Sequence, residues 1–361
     1  MGKKKKTDFH GRKTSCGETK AWFVPCDLCV TIFLSKKYKK KGEFSAERIS
    51  LEEIEQFYHL NGASIPKERP YVWCMTVGST DSLISFNEPK QTGCVEISLG
   101  HIPNSGSGSD FRLLQAGWMY ADAIVGTGEI LRREDETANW ILYHEDLIEH
   151  RVNVLKKKHK QPINVILTSE HFYFHLSLTI ILARLTRFFE GGKKEIDVRK
   201  KILNDSSHKT LIVTTKTGAA LIKSKFEKQC AQYQCKDPLL PENGCDTEIL
   251  VIEETKEGAI DVHQLLSKLK HQYGVECLDL TAGGETIGDW ILKKVVDEHR
   301  LTIAGHLMGS FNSLGEARPR IFNLPPHSYF PSDKNPLLEF FGIRIYGNHL
   351  LFLRNKIKYR H

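Results

Sequence analysis

The chain has 361 residues, of which 40% are hydrophobic and 26% charged, with 51 Lys and Arg against 44 Asp and Glu. These values exclude a mainly disordered chain and leave enough apolar material for one large domain or two small ones. Nine cysteines, together with a start that contains no recognisable secretory signal, predict free thiols in a reducing, cytoplasmic compartment.

The positive charge is concentrated at the N-terminus. Residues 1–41 contain twelve Lys and Arg against three acidic residues, whereas the rest of the chain is slightly acidic. We therefore expect residues 1–68 to form a basic arm, disordered in part, and residues 69–361 to form the folded body. Contact with nucleic acid is predicted only through this arm, and a solvated lysine-rich tail is the alternative.

The arm also contains the motif Pro25-Cys26-Asp27-Leu28-Cys29. A Cys-x-x-Cys pair is half of a structural zinc site, and Pro-Cys-x-x-Cys is half of the signature of zinc-dependent deaminases. Neither signature is complete, because a second cysteine pair is missing and His10 is not followed by the glutamate that a deaminase requires. We predict no metal site and unligated thiols at Cys26 and Cys29.

From residue 69 onward, apolar runs alternate with helical patterns, which is typical of an α/β domain. Buried strands are predicted at 69–77, 122–125, 163–167, 210–215, 248–252, 275–280 and from 301. Helices are predicted at 111–121, 262–269 and 285–297.

A segment of about 40 residues, 169–208, is longer than the usual connection in such a unit, so we expect an insertion with its own helix. Its apolar run, Phe172 to Phe189, carries one histidine and two arginines. These side chains would be costly in lipid, so we expect no membrane span there.

The most informative unit is a strand, a glycine pair and a helix at residues 275–297. Gly283 and Gly284 let backbone amides approach an anion, and the following helix presents its positive end. The Thr286 hydroxyl would cap the helix or bond a phosphate oxygen. A tight turn that needs glycine only for its dihedral angles is the alternative. Gly126-Thr127-Gly128, after another predicted strand, adds a second glycine turn and favours a nucleotide ligand.

The order of these pieces resembles the reductase domain of riboflavin biosynthesis. This domain forms the C-terminal half of bacterial bifunctional deaminase-reductases, and it also occurs as stand-alone fungal and archaeal reductases. The resemblance covers about residues 69–361, interrupted by insertions near 169–208 and 312–340. It is carried by Arg69-Pro70-Tyr71-Val72 through Ser79-Thr80-Asp81, residues 121–128, 211–215, Gly283-Gly284-Glu285-Thr286, 296–304 and 348–354.

The resemblance implies a dihydrofolate-reductase-like α/β fold with three layers, α/β/α, a mixed and mostly parallel sheet, and a homodimer. It implies NADPH-dependent reduction of the ribosyl group of an aminopyrimidine ribose 5′-phosphate to ribityl. It also implies substrate-binding roles for Ser79 and Asp81, for which plain turn residues are the alternative. The implied cofactor-binding residues are Gly126, Thr127, Gly128, Gly283, Gly284 and Thr286.

Several positions depart from the family pattern. Glu129 replaces a threonine, Arg133 an aspartate and Ala282 a glutamate, and Met75 stands where bacterial members have a lysine. We assign no catalytic residue, and we predict that Arg133 binds a phosphate of the substrate or the cofactor through its forked guanidinium. The sequence therefore supports an active reductase, and its alternative is an impaired homologue that acts as a nucleotide-binding or partner protein.

Overall fold

The computed structural model describes residues 32–33, 49–58, 64–86, 107–133, 139–168, 196, 198–240, 244–256, 259–324, 328–346 and 349–360. Ten strands lie in these ranges: β1 (Ile32–Phe33), β2 (Tyr71–Ser79), β3 (Ala123–Thr127), β4 (Ile163–Leu167), β5 (Thr210–Thr214), β6 (Thr247–Val251), β7 (Cys277–Leu280), β8 (Glu298–Ala304), β9 (Leu337–Tyr346) and β10 (Leu350–Lys358). The helices of the same ranges are α1 (Leu51–Tyr58), α2 (Ser107–Tyr120), α3 (Gly128–Arg133), α4 (Glu145–Asn153), α5 (Lys201–Asn204), α6 (Lys216–Tyr233), α7 (Val262–Tyr273) and α8 (Gly284–Leu292).

All ten strands form one sheet in the order β1-β9-β10-β8-β2-β7-β3-β4-β5-β6. Strand β10 is antiparallel to both of its neighbours, β8 and β9, whereas the other described pairs are parallel. The predicted mixed and mostly parallel sheet is therefore confirmed.

Helices cover both faces of the sheet. Along β2, Tyr71 and Trp73 pack into one core cluster, whereas Val72 and Cys74 pack into the other, because successive strand residues point to opposite faces. The first cluster includes residues of α1, α2, α4, α5 and α6, and the second includes residues of α7 and α8. This arrangement is the predicted three-layer α/β/α architecture.

The predicted strands and helices are present, with shifts at their ends. The limits of β4 agree with the predicted range 163–167, and α7 begins at Val262 as expected, after the Asp261 side chain accepts from the amides of His263 and Gln264. Helix α8 is shorter than predicted and ends at Leu292, not at Asp297. The reason is that the Asp297 carboxylate accepts hydrogen bonds from Arg69 and the Val72 amide, which draws the chain out of the helix toward β2.

The boundary predicted at residue 68 differs from the structure. Helix α1 lies within the predicted arm, and its Ile54, Phe57 and Tyr58 are buried in the core. The helix starts with reciprocal bonds in which the Ser50 amide donates to the Glu53 carboxylate (2.9 Å) and the Glu53 amide to the Ser50 hydroxyl (3.2 Å). The folded body therefore includes residues 49–58.

Parts of the two predicted insertions belong to the sheet and core. Helix α5 places Ile202 and Leu203 in the core, and the last four residues of the range 312–340 are the start of β9. The run Phe172–Phe189, Cys26 and Cys29 lie outside the described residues. Among the helices that are described, none is both long enough and apolar enough to cross a membrane.

Candidate functional site

The predicted site residues follow strands that end at one edge of the sheet. Strand β7 lies between β2 and β3 and runs parallel to both. In the β3–β7 pair, Val125 lies opposite Leu280, the last residue of β7. Beyond this pair, β3 continues through Gly126 and Thr127 into α3, and the turn at 281–284 follows β7, so the two segments extend from neighbouring strands. Ser79, at the end of β2, lies at the same edge and opposite Ala304 of β8.

The second glycine turn leads directly into α8. Gly283 is the N-cap, with φ −71° and ψ 162°, and a Cβ built on it would meet nothing within 4 Å. No side chain caps this helix, and none of the described residues accepts from the amides of Gly284, Glu285 or Thr286. Three donors at the positive end of a helix, beside an open glycine, suit a phosphate group.

Gly284 is enclosed on its other side. A Cβ there would lie 2.2 Å from the carbonyl oxygen of Arg320, and one on Gly288 would lie 2.4 Å from that of Asn323. The Asn323 amide also donates to the Gly284 carbonyl (3.1 Å). The main chain of residues 320–323 thus packs against the first turn of α8, and both glycines are required for that close approach.

The predicted first glycine turn is not a turn, because Gly126 and Thr127 are the last two residues of β3 and Gly128 is the first residue of α3. A Cβ on Gly126 would lie 2.2 Å from the Trp140 ring, so the absence of a side chain there makes room for the indole. The Thr127 hydroxyl accepts from the amide of Ile130 (3.4 Å) at the start of α3, whose first residue is Gly128. Gly126 and Thr127 therefore have structural roles, and their predicted contact with a cofactor stays a prediction.

A buried carboxylate lies beneath the 281–284 turn, and the sequence analysis did not single it out. Asp279, on β7, is fully buried and accepts from the Trp73 indole N–H (2.8 Å) and the Thr281 hydroxyl (3.0 Å). Burial raises the pKa of Asp279 to about 6, against the opposing hydrogen bond from Trp73 and the positive charge of Arg300. Its signal was an acidic residue inside the otherwise apolar strand Cys277–Leu280. The bond to Thr281 makes Asp279 a positioning residue for the turn.

Ser79 and Asp81 form a compact polar junction at the end of β2. The Ser79 hydroxyl donates to Asp81 (2.5 Å), and the same carboxylate accepts from the amides of Met308 and Gly309 (2.8 Å for Gly309). Burial acts in the opposite direction, but these hydrogen bonds lower the pKa of Asp81. Ser79 is almost fully buried, whereas Asp81 is partly exposed. Asp81 is therefore ionised at neutral pH and ties β2 to the segment that follows β8.

The departures from the family pattern have different surroundings. Met75 packs against the first core cluster and Ala282 against the second, so apolar side chains occupy both positions. Arg133 is the last residue of α3, and Glu129 lies in the same helix. The side chains of Arg133 and Glu129 lie outside what the structure describes, so the predicted phosphate contact of Arg133 stays a prediction.

Within the described ranges, no group of three or more His, Cys, Asp or Glu side chains is arranged to hold a metal ion. The turn at 281–284, the Asp81 junction and Asp279 together form a polar edge with three main-chain amides left free by the described residues and the carboxylates of Asp81 and Asp279. This arrangement is suited to orienting a phosphorylated ligand.

Comparisons with solved structures give distant similarities. RibD of Acinetobacter baumannii aligns with 15% identity and a TM-score of 0.47, over 81% of this chain and 59% of that one. A pyrimidine reductase-like protein of Corynebacterium diphtheriae aligns with 15% identity and a TM-score of 0.49, over 84% of this chain and 98% of that one. The riboflavin biosynthesis reductase of Saccharomyces cerevisiae aligns with 14% identity and a TM-score of 0.43, over 85% and 99%.

This chain thus spans about three fifths of the length of the Acinetobacter protein. No curated protein sequence matches it. The family model described as the RibD C-terminal domain matches residues 119–324, which is more than half of the chain. That match and the mixed, mostly parallel sheet confirm the resemblance and the dihydrofolate-reductase-like α/β fold that it implied. The chain belongs to the RibD C-terminal domain family.

Proposed function

We propose that this protein is an NADPH-dependent reductase of riboflavin biosynthesis. It converts the ribosyl group of an aminopyrimidine ribose 5′-phosphate into the ribityl group. Membership of the RibD C-terminal domain family supports an oxidoreductase of this pathway. The homodimer and the cytoplasmic location that we expect belong to the same proposal.

The observation that carries the proposal is the glycine turn after β7, which lies beside the glycine-containing end of the neighbouring strand β3. Gly283 has open space beside it, and the three amides that follow have no described acceptor. These features fit a phosphate of a dinucleotide, which gains from both the donors and the helix dipole. The proposed cofactor contacts are those of Gly126, Thr127, Gly128, Gly283, Gly284 and Thr286.

When bound, NADPH would supply the hydride that reduces C1′ of the ribosyl group. The chain's own residues then have the tasks of binding and orientation. We assign Ser79 and Asp81 to the substrate, because the partly exposed Asp81 carboxylate lies at the edge where β2, β7 and β3 end. Arg133 is proposed to bind a phosphate of the substrate. Holding two reactants in contact accounts for a large part of the rate enhancement in such reactions.

The test uses the full chain, NADPH and the ribosylaminopyrimidine phosphate, supplied in its deaminated and non-deaminated forms. The proposal predicts saturable NADPH binding and loss of the absorbance of the reduced nicotinamide when one of the two forms is added, with the ribityl product recovered. Saturable binding without oxidation of NADPH by either form would contradict the reductase and favour the impaired homologue. No binding would remove both nucleotide hypotheses.

A further inference from the structure

A buried cluster of charges lies between β8, β10 and α1. Its centre is Glu298, which is fully buried and accepts from four donors. They are Arg300 Nε (2.7 Å), Arg354 Nε (2.7 Å), Arg354 Nη2 (2.9 Å) and the Tyr71 hydroxyl (3.2 Å). A carboxylate has about four lone-pair positions that can accept hydrogen bonds, and these four bonds occupy all of them. Glu298 therefore has no lone pair left for further donors.

The two arginines of the cluster differ in how completely they are bonded. Arg354 also donates from Nη1 to the Phe57 carbonyl (2.5 Å), so all three of its nitrogens have acceptors. Arg300 donates only from Nε, and neither its Nη1 nor its Nη2 has a partner among the described residues. Because Arg300 is only 2% exposed, water at the surface cannot solvate these two nitrogens. A buried charged donor without an acceptor is costly, so these groups call for a partner.

The aromatic neighbours of Arg300 restrict where such a partner can lie. The guanidinium carbon lies 4.0 Å from the centre of the Trp73 ring and 4.6 Å from that of the Tyr58 ring. These rings stack on the guanidinium as cation–π partners and accept no conventional hydrogen bond from Nη1 or Nη2. The edge that carries the Nη1 and Nη2 protons is the part that remains for a ligand.

A small cavity adjoins Arg300. Its walls include Phe57, Tyr58, Met75, Thr302 and Phe352. The space open to the centre of a water-sized group is about 10 Å³, which is close to the minimum for one water molecule or a monatomic ion.

The chemistry of the walls favours an anion over water. Phe57, Met75 and Phe352 have side chains without strong acceptors. The hydroxyls in the walls are those of Tyr58 and Thr302, which are able to accept, and that of Thr302 donates to Asp110. A water molecule would accept from Arg300 but would have few partners for its own protons, whereas an anion only accepts. Glu298, Arg300 and Arg354 carry one net positive charge. Two carboxylates oppose an anion when ionised: Asp110, which accepts from the Thr302 hydroxyl, and Asp279, which bonds Trp73, on whose ring Arg300 stacks.

We propose that this cavity is a binding site for a small monovalent anion, with chloride as the physiological ligand and the Nη1 and Nη2 groups of Arg300 as its donors. The site lies among buried residues of β2, β8, β10 and α1, so its ligand links the N-terminal helix to the sheet. Its role is to stabilise the fold.

Two measurements on the full chain test the proposal. Crystals grown or soaked with bromide should show an anomalous difference peak within hydrogen-bonding distance of Arg300 Nη1 or Nη2. In solution, titration with chloride at constant ionic strength, balanced with gluconate, should raise the melting temperature by several degrees and then saturate.

Arg300→Lys keeps the positive charge but removes the paired Nη1 and Nη2 donors, so this variant should lose the dependence of its melting temperature on chloride. Arg112→Lys is the matched control. Arg112 is also buried, but it is bonded to the Ile49 carbonyl and Asp146, so its variant should respond to chloride as the wild type does. If Arg300→Lys does not fold, the bromide measurement on the wild-type chain decides.

An ordered water with no anomalous signal would overturn the proposal. A bromide peak without any chloride-dependent change in melting temperature would mean binding at crystal concentration only, and it would overturn the proposal as well.

Discussion

Val125 on β3 lies opposite Leu280 on β7. Beyond this pair, β3 continues through Gly126 and Thr127 directly into α3, whereas the glycine turn at 281–284 follows β7. The proposed cofactor site depends on this register, since one dinucleotide must contact both the end of β3 and the turn after β7.

The Gly284→Ala variant tests the packing behind the second turn. A Cβ at this position would lie 2.2 Å from the Arg320 carbonyl oxygen, which belongs to the main chain and cannot rotate away. We expect the free energy of unfolding, measured by denaturant titration, to fall by about 1–3 kcal/mol. Gly108→Ala in the first turn of α2 is the control, because nothing lies within 4 Å of its added Cβ. That variant should be as stable as the wild type or slightly more stable. Equal losses in both variants would contradict the close contact at Arg320.

The Glu298→Gln variant tests the buried charge cluster. Burial alone would raise the pKa of Glu298, but the charges of Arg300 and Arg354 lower it to about 2. Removing the carboxylate leaves two buried guanidiniums uncompensated, so we expect a loss of about 3–5 kcal/mol in the free energy of unfolding. Glu339→Gln, which breaks a surface pair with Lys358 (3.1 Å), should cost less than about 1 kcal/mol.

The sign of the pH effect follows from the lowered pKa of Glu298. Its stabilising contribution is complete above the unfolded pKa, near ~4.3, and is lost as the pH falls toward 2. The difference in stability between Glu298→Gln and the wild type should therefore shrink below pH ~4. If it does not, the assigned ion pairs are contradicted.

Asp279→Asn tests the carboxylate beneath the turn. Because burial raises its pKa to about 6, the folded state holds this proton more tightly than the unfolded chain. The contribution of Asp279 to stability is therefore greatest below the unfolded pKa, near ~3.9, falls up to pH ~6 and is constant above. Asparagine has the same shape and does not ionise. The stability of Asp279→Asn relative to the wild type should therefore rise over this interval, by an amount on the order of 3 kcal/mol. A relative stability that is flat with pH would show that Asp279 ionises normally.

Much of the fold was predictable because its determinants are local. The apolar, β-branched run at residues 163–167 predicts β4 with its observed limits. The end of α8 was not predictable, because the bond from Arg69 to Asp297 joins residues 228 positions apart. Helix α1 has its own signal in Ser50 and Glu53, but the lysine-rich residues before it favoured a tail.

The same distinction applies to the site. The turn at Gly283 and Gly284 could be identified from the sequence, because a glycine pair between a strand and a helix has a recognisable pattern, whereas Gly126 and Thr127, predicted as a turn, belong to β3. The contacts that enclose Gly284 come from residues 320–321. The amide that bonds Asp81 belongs to Met308, which lies 227 positions further along the chain. Asp279 was visible as an acidic residue in a buried strand, but its bonds to Trp73 and Thr281 require the sheet.

Asp81→Asn separates the two interpretations of the junction at the end of β2. If Asp81 binds substrate as proposed, KM for the aminopyrimidine phosphate should rise at least several-fold, while the Kd for NADPH changes little. Steady-state kinetics and a binding titration measure the two effects. A loss of stability with an unchanged KM would leave Asp81 only its observed role of holding Met308 and Gly309.

The most direct test of the account is the affinity of Gly283→Asp for NADPH. The backbone angles of Gly283 suit any residue, its Cβ direction is open, and aspartate is a favoured N-cap, so the variant should fold at least as stably as the wild type. The new carboxylate would cap the amides that follow it and repel a phosphate at the start of α8, whereas Gly283→Ala adds a Cβ in open space with neither a charge nor an acceptor. The account predicts at least tenfold weaker NADPH binding by Gly283→Asp and near-normal binding by Gly283→Ala. Equal affinity of both variants and the wild type would contradict it.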